Sequence, residues 1–317
     1  MKNLAIKYWY LAAIALSVVL GLNFSDWAEF IKEYNLLKIG IFLSFFLTSL
    51  TLEAGAILSE SKNFKAIIAA LVSGFVFFPL IAKLFAQIMF NSNADFLVGF
   101  CILAVAPVTL ATATVLTTLA GGNVPLNLII NITTNTLAIF TIPISLKILL
   151  SGTHNIELPT LEIMVKIFVM VILPVILGQL IRIKIKEKVM RARKAFSQFC
   201  KFVILVLIFN AIANSAEQLG QLGYRIIFVI VAAIILHIVI LAMNFGISRL
   251  LSLDAASTSA FTITTSQKTI GLSFIIWISF FAKDFPLAMI PTICYHLTQS
   301  MGDTYLVHYL NRKKQEP

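Results

Sequence analysis

The chain has 317 residues, of which 59% are hydrophobic and only 12% are charged, and its mean hydropathy is +0.96. A water-soluble domain carries roughly 25% charged residues, so this composition excludes a soluble globular fold as well as disordered, collagen-like and coiled-coil chains. The formal net charge of +10 would suggest nucleic acid in a soluble protein. Here the basic residues cluster in polar breaks between long apolar runs, and that distribution predicts a helical membrane protein with no nucleic-acid partner.

The apolar runs predict ten membrane-spanning helices, because about 20 apolar residues cross a bilayer. The spans are expected near residues 7–23, 36–58, 65–90, 96–120, 125–150, 160–182, 198–215, 225–248, 256–282 and 286–310. The stretch 182–201 holds eight of the 24 basic residues, and it falls on the same side as the basic tail. The excess of Lys and Arg on one side predicts that both termini are cytoplasmic. No cleavable signal is expected, since no small-residue cleavage site follows the first run.

The outer loop at 151–159 divides these spans into two groups of five, residues 1–150 and residues 160–317 with the basic tail. Because five is odd, the second group must enter the membrane in the opposite sense to the first. Two inverted five-helix repeats are common in secondary transporters. The three cysteines are scattered through apolar runs, which argues against a disulfide framework or a zinc site.

Two spans carry polar clusters at membrane depth, and they are the fourth span of each half. In the fourth span Pro107 is followed by five threonines up to Thr118; in the ninth, Ser257–Thr269 carries hydroxyls, an amide and an ammonium. Interrupted helices at matching positions in the two halves indicate a transporter site, because a broken helix frees backbone groups that can hold an ion or a substrate. The alternative is that these hydroxyls only bond their own helix or join neighbouring helices.

Lys268 is the sharpest single signal, since an ammonium deep in a span costs about 2.5–3.5 kcal/mol and needs carbonyls, a carboxylate or an anionic ligand nearby. Its alternative is a structural counter-charge. Asp303 is a candidate partner for a buried cation, and His237 is interpreted as a packing residue. The candidate substrate or crossing residues are Thr112, Thr114, Thr264, Thr265, Gln267, Lys268, Thr269 and His296. For His296, and for Asn127, Asn131 and Asn135 on one face of the fifth span, helix packing is the alternative.

These motifs resemble the bile acid:sodium symporter family. The resemblance rests on Ala106–Asn123 running into Asn127 and Asn131, on the helix-2 stretch 42–52, and on Ser266–Leu272 with Tyr295-His296 downstream, which is most similar to the SBF-like orphan branch. It covers about residues 36–310. It implies a ten-helix inverted-repeat, NhaA-like fold with a panel and a core domain, in which broken helices 4 and 9 cross.

Members of that family move organic anions by alternating access coupled to sodium. Matched by position, the resemblance makes Thr112, Thr114, Asn127, Asn131 and Gln267 candidates for an ion site. No metal other than sodium is expected, and no cofactor beyond coupling to Na⁺ or H⁺.

The chain departs from the family at one acidic ligand. Sodium-coupled members carry a glutamate about four residues before the glutamine, where this chain has Ile263 and Thr264, and Lys268 stands beside the crossing. Losing a carboxylate and gaining an ammonium disfavours a bound sodium ion by Coulomb repulsion. We hypothesise that Lys268 replaces one sodium ion, so that coupling is reduced to one site, shifted to protons, or absent.

The sequence therefore predicts a secondary transporter of a small organic anion, of the bile-acid, sterol-conjugate or carboxylate class, in a bacterial inner or plasma membrane. The alternative is a sensor with a transporter fold that binds a ligand or ion without net transport; a channel comes third. No enzyme motif or nucleotide-binding loop is present in the sequence. The expected partners are the organic anion and the lipid bilayer, with no obligate protein partner.

Overall fold

In a computed structural model of the chain, the described residues are 2–33, 35–52, 63–151 and 158–315, and they form helices and no strands. The helices are α1 Lys2–Asn23, α2 Asp26–Glu33, α3 Leu36–Leu50, α4 Phe64–Phe90, α5 Ala94–Val105, α6 Leu110–Leu119, α7 Val124–Leu150, α8 Thr160–Asn214, α9 Ala216–Leu222, α10 Ile226–Leu250, α11 Ala255–Ser266, α12 Ile270–Ile276 and α13 Ile290–Gln315. The part of the predicted second span beyond 52 and most of the loop 151–159 lie outside the described residues.

Within the described ranges, four helical stretches are long and apolar enough to cross a membrane, namely Phe64–Phe90, Val124–Leu150, Thr160–Asn214 and Ala216–Leu250. Shorter apolar helices include Leu36–Leu50 and Ala94–Val105. Helix α4 is apolar on both sides: Phe78, Ala82 and Ala86 are buried, whereas Leu84 and Ile88 are exposed. A helix that is hydrophobic all round and exposed on one face is suited to lipid, and the protein is an integral membrane protein.

Helix α8 differs from the sequence prediction, which had two spans separated by a polar loop. The chain stays helical from 160 to 214, and the non-helical backbone at Ile185 marks a kink. Before the kink, Gln179 contacts Ser49 near the end of α3; after it, Cys200 lies near Thr48 and Val203 packs near Gly40, further back along α3. The two arms of α8 therefore run in opposite directions along α3. The basic stretch is helical because Lys, Arg and Glu are good helix formers.

Glycines let the first arm of α8 approach α3 closely. A Cβ on Gly178 would lie 2.8 Å from the backbone oxygen of Phe46 and 2.9 Å from Ser49 Cβ. Just beyond, the buried guanidinium of Arg182 donates to the backbone oxygens of Leu50 and Leu52. Leu50 is the last residue of α3 and Leu52 follows two residues later, and the carbonyls at such a helix end have no further helical amides to bond. Arg182 thus caps α3 from a neighbouring helix.

Both predicted helix interruptions are present. Helix α5 ends at Val105 and α6 begins at Leu110, and Ala106 and Thr109 between them have extended backbone angles. Helix α11 ends at Ser266 and α12 begins at Ile270, with Gln267 and Thr269 also extended. Pro107 explains the first break, because proline lacks the amide that a continuous helix needs and keeps the residue before it out of the helical region.

We expect Gly178→Ala to lower the melting temperature of the purified protein in detergent. The added methyl would meet a backbone oxygen that cannot move aside, and overpacking of this kind costs about 1–3 kcal/mol. Gly246→Ala is the matched control, because a Cβ at that helical position meets no atom within 4 Å. Equal melting temperatures for the two variants would contradict the close contact between α3 and α8.

Candidate functional site

The two helix breaks meet in the interior of the protein. The backbone N–H of Thr269, in the second break, donates to the backbone oxygen of Pro107, in the first, over 3.0 Å. Pro107 is buried and Thr269 is half-buried. Each break leaves carbonyl and amide groups without partners in its own helix, and this bond pairs two of them directly. The predicted crossing of the fourth and ninth spans is therefore present.

Gln299 of α13 supports the second break from the side. Its Oε1 accepts from the backbone N–H of Lys268 over 2.8 Å, and its Nε2 donates to the Lys268 backbone oxygen over 2.9 Å. One amide side chain thus replaces two helical hydrogen bonds that the break removes. No proline stands in this second break, so it depends on bonds of this kind from outside the helix.

The ammonium of Lys268 lies in a cage of backbone oxygens. Its Nζ donates to the oxygen of Ala106 over 2.8 Å and to that of Gly74 over 2.9 Å, and it stands 4.3 Å from the centre of the Phe78 ring. Only 2% of Lys268 is exposed. Ala106 follows the C-terminal end of α5, where the helix dipole favours a cation, and Gly74 lies in a π-helical turn of α4. Carbonyls and an aromatic face therefore stabilise the buried charge.

Asp303, the candidate partner for a buried cation, pairs with His237 and not with Lys268. Its Oδ1 lies 2.8 Å from Nε2 of His237, and its Oδ2 accepts from Nε2 of Gln267 over 2.7 Å. His237, interpreted from the sequence as a packing residue, is buried against the Tyr295 ring and also forms contacts through both ring nitrogens. Its Nδ1 lies 3.1 Å from the hydroxyl of Tyr295, which donates to the backbone oxygen of Ser266 at the end of α11.

This chain of bonds reaches the fourth span through Thr112, whose hydroxyl donates to Oε1 of Gln267 over 2.9 Å. A second polar cluster joins the fifth and ninth spans. Asn127 donates to the hydroxyl of Thr264 over 2.6 Å and accepts from the hydroxyl of Thr114 over 2.8 Å. The candidates Thr112, Thr114, Asn127, Thr264 and Gln267 are thus brought together around the crossing.

The other candidates have different surroundings. The hydroxyl of Thr265 bonds back to the Phe261 oxygen in its own helix, as the packing alternative would have it. Asn131 donates to the Asn127 oxygen, and its buried Oδ1 has no hydrogen-bond partner among the described residues. Asn135 donates to the Val108 oxygen over 3.1 Å, so it supports the first break.

His296 lies at the side of the second break. Its Nδ1 is 3.1 Å from Nε2 of Gln299, and its buried Nε2 has no hydrogen-bond partner in the part of the chain that the structure describes. Since Gln299 already accepts the Lys268 amide with its oxygen, its Nε2 donates to His296.

The oxygens expected to bind sodium are largely engaged within the protein. Oδ1 of Asn127 accepts from Thr114, Oε1 of Gln267 accepts from Thr112, and the two free backbone oxygens beside the crossing accept from Lys268. Among the described residues, no group of three or more His, Cys, Asp or Glu could hold a metal ion. Of these oxygens, those of Ala106 and Gly74 bond the ammonium of Lys268, and those of Asn127 and Gln267 bond threonine hydroxyls.

Three cavities follow the interface between α3 and α8 on one side and the broken helices on the other. The arginine cavity, of about 360 Å³, is lined by residues of α3, α6, α7 and the second arm of α8, among them Thr114 and Arg193. The crossing cavity, of about 80 Å³, is lined by both breaks, at Thr109 and Thr269, and by His296. The lysine cavity, of about 260 Å³, is lined by α3, α8 and α12, including Lys38 and Lys166.

The cavities are neighbours along this interface. The arginine and crossing cavities share Thr48, Leu110 and Cys200, and the crossing and lysine cavities share Ile41. Helix α6 follows the first break and lines the arginine cavity, whereas α12 follows the second break and lines the lysine cavity. The crossing therefore lies between the arginine cavity, which α6 lines, and the lysine cavity, which α12 lines.

A buried meeting of two broken helices, with a cavity on either side, is the arrangement of a secondary membrane transporter. The chain belongs to the SBF-like CPA transporter family, whose family model matches residues 8–312. The resemblance drawn from the sequence motifs is thereby confirmed.

Several named transporters are similar to this chain. "Probable sodium/metabolite cotransporter BASS4, chloroplastic" of Arabidopsis thaliana is 27% identical over 296 residues, which cover 89% of this chain and 68% of that protein. "Sodium/bile acid cotransporter 7-A" of Xenopus laevis is 24% identical over 285 residues, 87% of this chain and 82% of that one. "Sodium/bile acid cotransporter 7" of Rattus norvegicus is 24% identical over 283 residues, with shares of 87% and 83%.

Sequence reasoning missed Gln299 as the support of the second break, and it missed the pair of His237 and Asp303. Both titratable residues lie within spans, where ionisable side chains are costly and usually paired, and that cost was the available signal. The role of Gly74 had no signal in the sequence, since the side chain of Lys268 binds a backbone oxygen that any residue would supply.

We expect Gln299→Leu to destabilise the protein strongly, because it leaves the buried amide and carbonyl of Lys268 unpaired at about 1–3 kcal/mol each. The measurement is the melting temperature in detergent. Thr298→Val is the matched control on the next residue, since the Thr298 hydroxyl bonds only to the Cys294 oxygen of its own helix. If the Gln299→Leu and Thr298→Val variants have the same melting temperature, the second break does not depend on the Gln299 side chain.

Proposed function

We propose that the protein is a secondary transporter of a small organic anion and that it works by alternating access on the two sides of the crossing. The observation that carries the proposal is the caged ammonium of Lys268 at the meeting of the two breaks. Cavities on both sides of that point fit a site that opens to one side at a time. In this proposal the ten spans form two inverted repeats, residues 1–150 and 160–317, in a bacterial inner or plasma membrane with both termini cytoplasmic.

The charges along the interface support an anion as the substrate. Arg193 lines one cavity, Lys38 and Lys166 line the other, and Lys268 lies between them. The described residues that line the three cavities include no Asp or Glu. The rest of the lining is mostly apolar with a few hydroxyls, which suits an anionic group attached to an apolar body. The bile-acid, sterol-conjugate and carboxylate classes have that form.

The names of the similar proteins support the same proposal. Cotransporters for sodium with a metabolite or a bile acid combine a cation with a second solute. In this chain Lys268 takes the part of one such cation. Its ammonium bonds two backbone oxygens beside an aromatic ring, and these are groups that also attract a small cation. A sodium ion about 4 Å from that ammonium would be repelled by about 4 kcal/mol at an effective dielectric constant of about 20.

Coupling in this protein is therefore reduced to a single sodium site, shifted to protons, or absent. The direct test of transport is counterflow of a labelled organic anion in proteoliposomes, with sodium, potassium or choline as the cation. The anion panel contains taurocholate, a sulfated sterol and several short carboxylates. Counterflow identifies a carrier; binding of the same anion without counterflow would favour a sensor that keeps the transporter fold.

We expect Lys268→Met to abolish counterflow or to make it dependent on sodium. Removing the ammonium leaves two backbone oxygens free for a cation, and a ligand that binds only the folded state raises the melting temperature by mass action. Sodium should accordingly stabilise Lys268→Met against heat more than it stabilises the unchanged protein.

Lys83→Met is the control, because Lys83 also lies on a spanning helix, α4, and lines none of the three cavities. It should retain counterflow and the original response to sodium. A Lys268→Met protein with unchanged flux and unchanged ion dependence would show that the lysine is only structural. The same conclusion would follow if Lys268→Met had a lower melting temperature that neither sodium nor any other cation raised.

A further inference from the structure

The lysine cavity lies at the end of the interface away from Arg193. Residues of α3, both arms of α8, and α12 surround it. Lys38 comes from the first turn of α3 and Lys166 from the start of α8, so two ammonium groups from different helices face one space of about 260 Å³. Neither lysine takes part in the crossing.

Each of these lysines makes a contact with an uncharged group, and Glu162 offsets part of the charge of Lys166. Nζ of Lys38 donates to Oδ1 of Asn35 over 2.8 Å, and Nζ of Lys166 stands 4.6 Å from the centre of the Phe280 ring. An ammonium has three N–H donors, so one amide oxygen does not use them all. Glu162 lies one turn before Lys166 on α8 but does not line the cavity.

Two like charges in one partly apolar space repel each other, and an anion placed between them relieves that repulsion. Phe274 and Ile275 of α12 line the same cavity and offer an apolar wall to the body of a ligand. The hydroxyl of Ser279 adds a polar contact at the wall. The cavity also shares Ile41 with the crossing cavity, so a ligand held here is adjacent to the transport path.

We propose that the lysine cavity is a second anion-binding site, in which Lys38 and Lys166 together bind the carboxylate, sulfonate or phosphate group of an organic anion. This inference rests on the proposed transport function in one respect only, namely that the bound anion is the substrate before or after it passes the crossing. Arg193 then serves the corresponding role in the arginine cavity. The substrate would contact basic side chains in the cavity on each side of the crossing, and Lys268 at the crossing itself.

Pyridoxal 5′-phosphate tests the site without requiring transport, because it is an organic anion that carries an aldehyde. With its phosphate on one lysine, the aldehyde condenses with the amine of the other to give an imine and water. Borohydride then reduces the imine to a stable secondary amine. The experiment uses the full chain in phosphatidylcholine vesicles, and peptide mass spectrometry measures the modification at each lysine as the reagent concentration rises.

We expect the modification of Lys166 to saturate, and its half-saturating concentration to rise about tenfold in Lys38→Gln, the effect of losing one charge-assisted hydrogen bond. Lys147→Gln is the matched control, because Lys147 lies exposed near the end of α7 and lines none of the cavities. The Lys147→Gln variant should leave the half-saturating concentration for Lys166 unchanged. In the unchanged protein, modification of Lys147 should rise with reagent concentration without saturating.

The proposal is overturned if Lys166 reacts without saturation, as Lys147 does, or if Lys38→Gln leaves its half-saturating concentration unchanged. A lipid phosphate could supply the same chemistry as a soluble anion, so the titration is repeated in vesicles containing phosphatidylglycerol. Protection of Lys166 by phosphatidylglycerol, without protection by soluble taurocholate, would make this a lipid site and also overturn the proposal. Saturable labelling in a protein that shows no counterflow would leave the site standing and remove the transport function alone.

Discussion

The ammonium of Lys268 bonds to a backbone oxygen at the end of α5 and to another in the π-helical turn of α4. Through Ala106 it holds the first break, through Gly74 it holds α4, and its backbone is held by Gln299 of α13. A buried charge of this kind is stable only while those oxygens stay close, since each unsatisfied group at membrane depth costs several kcal/mol. The positions of α4, α5 and α13 around the crossing are therefore tied to one residue, through its side chain and its backbone.

The polar network extends this constraint outward. Gln267 connects Thr112 of the fourth span to Asp303 of α13, and Asp303 connects to His237 of α10. Each member has its bonding groups satisfied by another member, which in a low-dielectric interior makes the arrangement specific. The three cavities lie beside this network and are lined largely by apolar side chains.

The sequence was most informative where chemistry is local. Pro107 predicts its own break, and the density of hydroxyls and amides in 257–269 predicts the second, because neither pattern fits an uninterrupted helix in lipid. The residues gathered at the crossing were predicted for the same reason. The bonds made by Gln299, Gly74 and the pair of His237 and Asp303 could not be predicted, since they join residues between 31 and 194 positions apart or depend on backbone atoms common to every residue. The stretch around Ile185, where α8 reverses direction, was predicted as a loop. A run of charged residues indicates where an apolar span ends, but the chain can remain helical through it.

The two breaks differ in what maintains them. Pro107 has no amide to donate and keeps Ala106 extended, so the interruption before α6 is favoured by a residue within the break itself. The residues from Gln267 to Thr269 could form ordinary helix, and they are kept from doing so by the amide of Gln299 and by the contact with Pro107. The first interruption is thus maintained by its own sequence, and the second by contacts with other segments. A displacement of α13 would remove the support of the second break and leave the first unchanged. Conformational change in this protein can therefore be asymmetric even if its two halves share one architecture.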